Sequence, residues 1–162
     1  MNPKRSYMAN DKERIKKTVN IQNRRASYEY HFLSKYTAGI MLTGTEIKSV
    51  REGNVNLADG FCSFLNGELW LSQVHIAKFT EGTYNNHDPT RTRKLLLNNK
   101  EINQLRKKSE EQGVTIIPTR LFINDRGFAK VDIALAKGKK LFDKREDIKE
   151  RDVKREMQRE KY

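Results

Sequence analysis

The chain has 162 residues, 33 Lys and Arg against 21 Asp and Glu, a formal net charge of +12 and 36% hydrophobic residues. That length fits one domain of ordinary size, no run approaches the ~18 apolar residues of a membrane span, and the N-terminus MNPKRSYMANDKERIKK has no apolar stretch of a secretory signal. Cys62 is the only cysteine, which excludes an internal disulfide and a multi-cysteine zinc site and fits a reducing, cytoplasmic setting.

The charge is unevenly placed. Residues 1–25 hold eight basic and two acidic residues, residues 26–136 fourteen and twelve, and residues 137–162 eleven and seven. A nearly neutral body with two basic arms favours a nucleic-acid partner. Charge alone also fits a membrane surface, or arms that only solubilise the domain.

The body predicts mostly strands. From Tyr28 the chain reads YEYHFLSKY, and Tyr28, Tyr30, Phe32 and Tyr36 fall at even spacing, which predicts a strand with Thr37–Leu42 as its continuation or partner. Thr43-Gly44-Thr45-Glu46 matches a capping box opening a two-turn helix, with Ile47 and Val50 on its buried side and Gly53 as the stop. Phe61–Leu65 and Glu68–Val74 flank Asn66-Gly67, a type I′ hairpin signal. Residues 77–94, AKFTEGTYNNHDPTRTRK, show no periodicity, and a connection beyond ~12–15 residues is usually functional or disordered. Thr90, Arg91, Thr92, Arg93 and Lys94 in it can all donate to phosphate oxygens, but composition leaves a solvated loop equally open.

Asn98 with Glu101 predicts a second capped helix, buried at Ile102 and Leu105 and ended by Gly113. A second hairpin joins Val114–Ile123 to Phe128–Ala136, with Ala129, Val131, Ile133 and Leu135 on one face. Pro118 lacks an N–H and so marks an edge or a bulge. About six short antiparallel strands predict a mainly β fold, a closed or nearly closed barrel with two to three short flanking helices and flexible basic termini. The domain boundaries expected are a basic arm over 1–22, a barrel over 23–137 and a tail over 138–162.

No catalytic constellation is visible. His31, His75 and His87 are scattered without metal-ligand spacing, and Cys62 sits among Phe61, Phe64 and Leu65 as a small buried hydrophobe. Gly138-Lys139-Lys140 lacks the rest of a phosphate-binding loop, and no carboxylate pair forms a recognisable nuclease motif. The chain reads as a binding protein, with no metal or cofactor expected. In the tail, residues 143–160 are helix formers rich in opposite charges three and four apart, but only Ile148, Val153 and Met157 are apolar. So few apolar residues do not offset the entropy of ordering, which predicts an arm disordered when free and helical against a polyanion.

Four sequence blocks, in this order and spacing, carry a family resemblance: Asn23-Arg24-Arg25-Ala26, GTEIKSVREG at 44–53, DPTRTRKLLLN at 88–98 and AKGKKLFDKREDIKERD at 136–152. The chain resembles the small protein B (SmpB) family of bacterial trans-translation. The resemblance implies an oligonucleotide-binding-like barrel, a monomer, that binds the tRNA-like domain of transfer-messenger RNA (tmRNA). It implies delivery to stalled ribosomes together with elongation factor Tu, the protein standing in for an anticodon arm and its tail entering the small-subunit decoding centre and mRNA channel.

By motif match, the RNA-facing residues would be Asn23, Arg25, Tyr28, Glu46, Lys48, Arg51, Arg91, Arg93, Lys94, Leu96 and Lys130. The ribosome-facing ones would be Gly138, Lys139, Lys140, Phe142, Asp143, Lys144, Arg145, Ile148 and Arg151. Lys and Arg suit phosphates, and Asn or a carboxylate suits 2′-hydroxyls and base edges. Glu46 is first a helix-cap residue, Leu96 equally a core residue, and Tyr28 either stacks on a base or packs on the barrel. The chain departs from the family pattern at Phe142, where many members have His, and at Val153, where many have Trp. The extension before about Ile21 is longer than the resemblance implies, with Met8 a candidate start. The alternative is another barrel-type RNA-binding protein, a ribosomal or assembly protein that binds rRNA without preferring tmRNA.

Overall fold

The computed structural model describes residues 19–82 and 84–160, so most of the expected N-terminal arm lies outside the described residues. In chain order the elements are β1 (Asn20–Gln22), α1 (Arg24–Glu29), β2 (Tyr30–Ile40), α2 (Gly44–Arg51), β3 (Val55–Asn56), β4 (Phe61–Leu65), β5 (Glu68–Ser72), β6 (His75–Ile76), β7 (Arg93–Leu96), α3 (Asn99–Ser109), β8 (Val114–Ile123), β9 (Ala129–Gly138) and α4 (Leu141–Arg159). Six strands close a ring in the order β2-β9-β8-β4-β5-β7 and back to β2, every pairing antiparallel. The mainly β barrel is therefore present, with four helices among the described residues rather than two to three, one of them 19 residues long. Strand β1 pairs with β8, which ties residues 20–22 to the sheet within the stretch expected as an arm.

Local chemistry sets the turns. Asn66 and Gly67 both take positive φ, 51° and 76°, the geometry a type I′ turn requires, and β4 and β5 pair in register across them. At the β8–β9 turn the Asn124 Oδ1 accepts from the backbone N–H groups of Arg126 and Phe128, at 3.1 and 2.9 Å. The cap of α2 differs from expectation. Thr43 Oγ1 accepts from the Glu46 N–H at 3.4 Å, but the Glu46 carboxylate does not return to the cap.

One bulge divides the apolar residues of β2 between two cores. The register of β2 on β9 shifts between Phe32 and Ser34, and that of β8 on β9 shifts between Pro118 and Arg120. Beyond the β2 bulge, Tyr36, Ala38 and Ile40 face the barrel interior with Leu69, Leu71, Ile116, Leu121, Val131, Ile133 and Leu135. Before it, Tyr30 and Phe32 lie with Ala26, Ile117 and Ala136 in a second, smaller cluster under α1. The even spacing of the aromatics was a true strand signal from Tyr30 onward, but Tyr28 belongs to α1. Asn23 caps that helix by accepting from the Ala26 N–H at 3.1 Å, so the strand cannot begin earlier. Val50 of α2 and Leu105 of α3 are fully buried in the main core, and Cys62 joins it, its thiol pushed well up by burial.

Candidate nucleic-acid interface

The side chains brought together at the end of the barrel under α2 begin with a buried carboxylate. Glu46 is fully buried, and so is Arg93. Arg93 donates through Nε to Glu46 Oε2 at 2.8 Å, and its two terminal nitrogens donate to the carbonyls of Val74 at 2.9 Å and Pro89 at 3.1 Å. Arg91, half-buried, donates through Nε to Glu46 Oε1 at 2.7 Å and through Nη2 to Oε2 at 3.2 Å. Burial works to raise the Glu46 pKa, and the hydrogen bonds and charges of the two arginines outweigh it, holding the carboxyl below its ordinary value.

Three of the residues expected to face RNA are buried. Arg93 has no exposed atom to offer a phosphate, and Glu46 has none to offer a base. Asn23 is also buried, its Nδ2 donating to the carbonyls of Leu57 and Pro118 at 3.1 and 2.9 Å. For Arg93 the sequence leaves the strand phase open, because Leu95, Leu96 and Leu97 are all apolar. In the fold Arg93 lies two residues before Leu95, and strand alternation puts both on the inner face. For Glu46 and Asn23 no local signal names the distant partners.

Of the remaining members, Lys48, Arg51, Arg91, Lys94, Leu96 and Lys130 lie outside the barrel as an outer strip. Lys48 and Arg51 project from the exposed face of α2. Lys94 alternates outward from Arg93 and pairs with Glu68 at 2.8 Å. Gly39 is the registered partner of both Leu96 on β7 and Lys130 on β9, so those two residues, far apart in the chain, flank one bare stretch of backbone. A Cβ built on Gly39 would stand 3.2 Å from Leu96 Cβ and 3.7 Å from Lys130 Nζ. Leu96 is therefore a surface residue, 48% exposed, and not a core one. Arg91 joins the strip to α2 through Glu46 and donates to the Met41 carbonyl at 3.4 Å.

Arg25 and Tyr28 lie on α1, apart from that strip and beside the tail. Arg25 is engaged by Glu29 at 2.9 Å and Asp59 at 3.2 Å, at the mouth of a cleft of about 380 Å³ that Tyr30 and Phe61 also line. Lys144 sits over the Tyr28 ring at 5.7 Å. The base of the tail docks here: Lys139 donates to the Ser27 carbonyl at 3.1 Å and pairs with Asp147, and His31 Nε2 lies 3.4 Å from Asp143. The Lys139 hydrogen bond holds the Asp147 carboxyl below its ordinary value, against a smaller opposing effect of desolvation.

Beyond that base α4 buries no residue. At 3.6 residues per turn its faces are distinct. Lys144, Arg145, Ile148, Arg151 and Arg155 fall on one side, with Phe142, Glu146, Glu150, Val153 and Met157 on the other. Phe142 is 68% exposed and does not pack on the barrel. Gly138 and Lys140 are exposed at the junction.

Among the described residues no group of three or more His, Cys, Asp or Glu could hold a metal ion, and no helix is long and apolar enough to cross a membrane.

The arrangement has close counterparts. Residues 20–162 match the family model described as SmpB protein. The chain is similar to the SsrA-binding protein of Phocaeicola vulgatus, 56% identical over 141 residues, covering 87% of this chain and 94% of that one. It is similar to the SsrA-binding protein of Christiangramia forsetii at 54% identity, covering 90% and 92%. A solved chain described under "tmRNA-SmpB: a journey to the center of the bacterial ribosome" superposes with a TM-score of 0.66 at 46% identity, over 76% of this chain and 86% of that chain.

Proposed function

Because the chain belongs to the SmpB protein family, we propose that it binds the tRNA-like domain of tmRNA and delivers that RNA to stalled ribosomes for trans-translation. The observation that carries this reading is the outer strip of Lys48, Arg51, Arg91, Lys94, Leu96 and Lys130, held in place by the buried Glu46–Arg93 pair. Its cations neutralise phosphates, while the apolar Leu96 and the bare backbone at Gly39 let a folded RNA approach the sheet closely. The barrel, residues 23–137, recognises the RNA. The tail, residues 138–162, enters the decoding centre and mRNA channel with the basic face of α4 toward rRNA. Delivery proceeds with elongation factor Tu in the cytoplasm, and the protein acts by binding, not by catalysis.

Sequencing the RNA that co-purifies with the protein tests this. Enrichment of tmRNA over rRNA and tRNA is expected, whereas rRNA enrichment alone would replace the reading with a ribosomal or assembly role.

A further inference from the structure

The connection from β6 to β7 is a built loop and not a slack one. Asn86 closes it: its Nδ2 donates to the Phe79 carbonyl at 2.8 Å, and its Oδ1 accepts from the Phe79 N–H at 3.2 Å. Gly82 also donates to the Phe79 carbonyl at 2.9 Å, and a Cβ there would stand 2.8 Å from Asn86 Nδ2, so a larger residue would displace the Asn86 amide from its place in the narrow neck. The next residue, His87, is buried and anchors the loop on the barrel. Its Nε2–H donates to the Ile76 carbonyl at 2.9 Å and its Nδ1 pairs with the Thr45 hydroxyl at 2.8 Å, at the first turn of α2. Lys48 of α2 sits over the Phe79 ring at 5.3 Å.

Within the closed segment stands Tyr84, fully exposed at 100%, while no other large hydrophobic among the described residues exceeds 68%. Its ring gains nothing from folding. We propose that Tyr84 is a base-stacking residue, its ring laid on an unpaired nucleotide of the RNA whose phosphates Lys48 and Arg51 neutralise. The inference rests on the tmRNA reading above. Every base has a π face, so such a contact tolerates sequence, and a loop already closed by Asn86 and His87 loses little further freedom on binding. The contact is made by the ring face and does not use the hydroxyl.

The test measures the affinity of the full chain, Tyr84→Phe and Tyr84→Ala for the isolated tRNA-like domain at fixed salt. Tyr84→Ala is expected to bind about 5- to 150-fold more weakly and Tyr84→Phe like the parent, with melting temperature and salt slope unchanged in both. With 2-aminopurine placed singly at unpaired positions of the RNA, one position should change fluorescence with the parent and Tyr84→Phe but not with Tyr84→Ala. Parental affinity for Tyr84→Ala would overturn the inference, as would a Tyr84→Phe loss equal to that of Tyr84→Ala. A parent protein with no preference for the tRNA-like domain over rRNA fragments would instead overturn the tmRNA reading itself.

Discussion

Arg93 and Glu46 form an ion pair with neither side chain exposed, Nε to Oε2 at 2.8 Å, between a barrel strand and the helix that covers its end. Breaking such a pair by removing one partner leaves a buried charge uncompensated, at a cost of about 3–5 kcal/mol. Arg93→Ala and Glu46→Ala should each lose that much in urea unfolding. A loss under about 1 kcal/mol, the range of a surface pair, would show that the pair is solvated.

The same pair sets a pH dependence. The native Glu46 carboxyl titrates below its ordinary value of 4.5, so on acidification the unfolded state takes up the proton first. The stabilisation is complete above the ordinary value and is lost as pH falls through the lowered native one. Urea midpoints followed downward from neutral pH should drop across that acid range in the parent and drop less in Glu46→Gln. Parallel pH curves for the two would remove Glu46 as the cause.

Salt titrations separate surface from support. Lys48→Ala and Arg51→Ala should each flatten the slope of log K against log salt concentration by ~0.7–0.9, one phosphate contact apiece. Conservative replacement of the buried Arg93 by Lys should lower stability and leave the slope of the folded fraction unchanged. A slope change at Arg93 equal to that at Lys48 would mean Arg93 leaves its pocket on binding.

Removing residues 138–162 should leave most RNA affinity intact and abolish peptide tagging on stalled ribosomes, because the outer strip lies wholly on the barrel. Major loss of RNA affinity on this deletion would end that division of labour.

Within the tail, Ile148 and Met157 occupy opposite faces of α4. Ile148→Asp, placed among Lys144, Arg145 and Arg151, should impair tagging more than Met157→Asp, with neither changing the melting temperature of the free protein. Phe142→Ala should likewise leave melting unchanged, since the ring is exposed, and reduce tagging if the ring stacks on a ribosomal base. Full tagging activity would assign Phe142 no contact.

Patterns that act over a few residues were legible in the sequence alone. The Asn66-Gly67 turn, the alternation from Ala129 to Leu135, the bulge at Pro118 and the caps at Thr43 and Asn98 each follow from backbone sterics or a neighbouring hydrogen bond. Ring closure of six strands followed from them, because short antiparallel strands hide their edges by closing. What lay beyond reach depended on residues distant in the chain. The motif of Thr90 to Lys94 reads as one basic patch, but one residue of strand phase sends Arg93 inward to Glu46 and Lys94 outward, and only the folded register decides which. Tyr30 and Tyr36 share one period-two pattern, yet the bulge after Phe32 assigns them to different cores. Asn23, Glu46 and His87 look like polar surface residues in the sequence. Their buried positions are stable because tertiary partners 34 to 95 residues away for Asn23, 45 and 47 for Glu46, and 42 and 11 for His87 satisfy the hydrogen bonds that burial would otherwise strand.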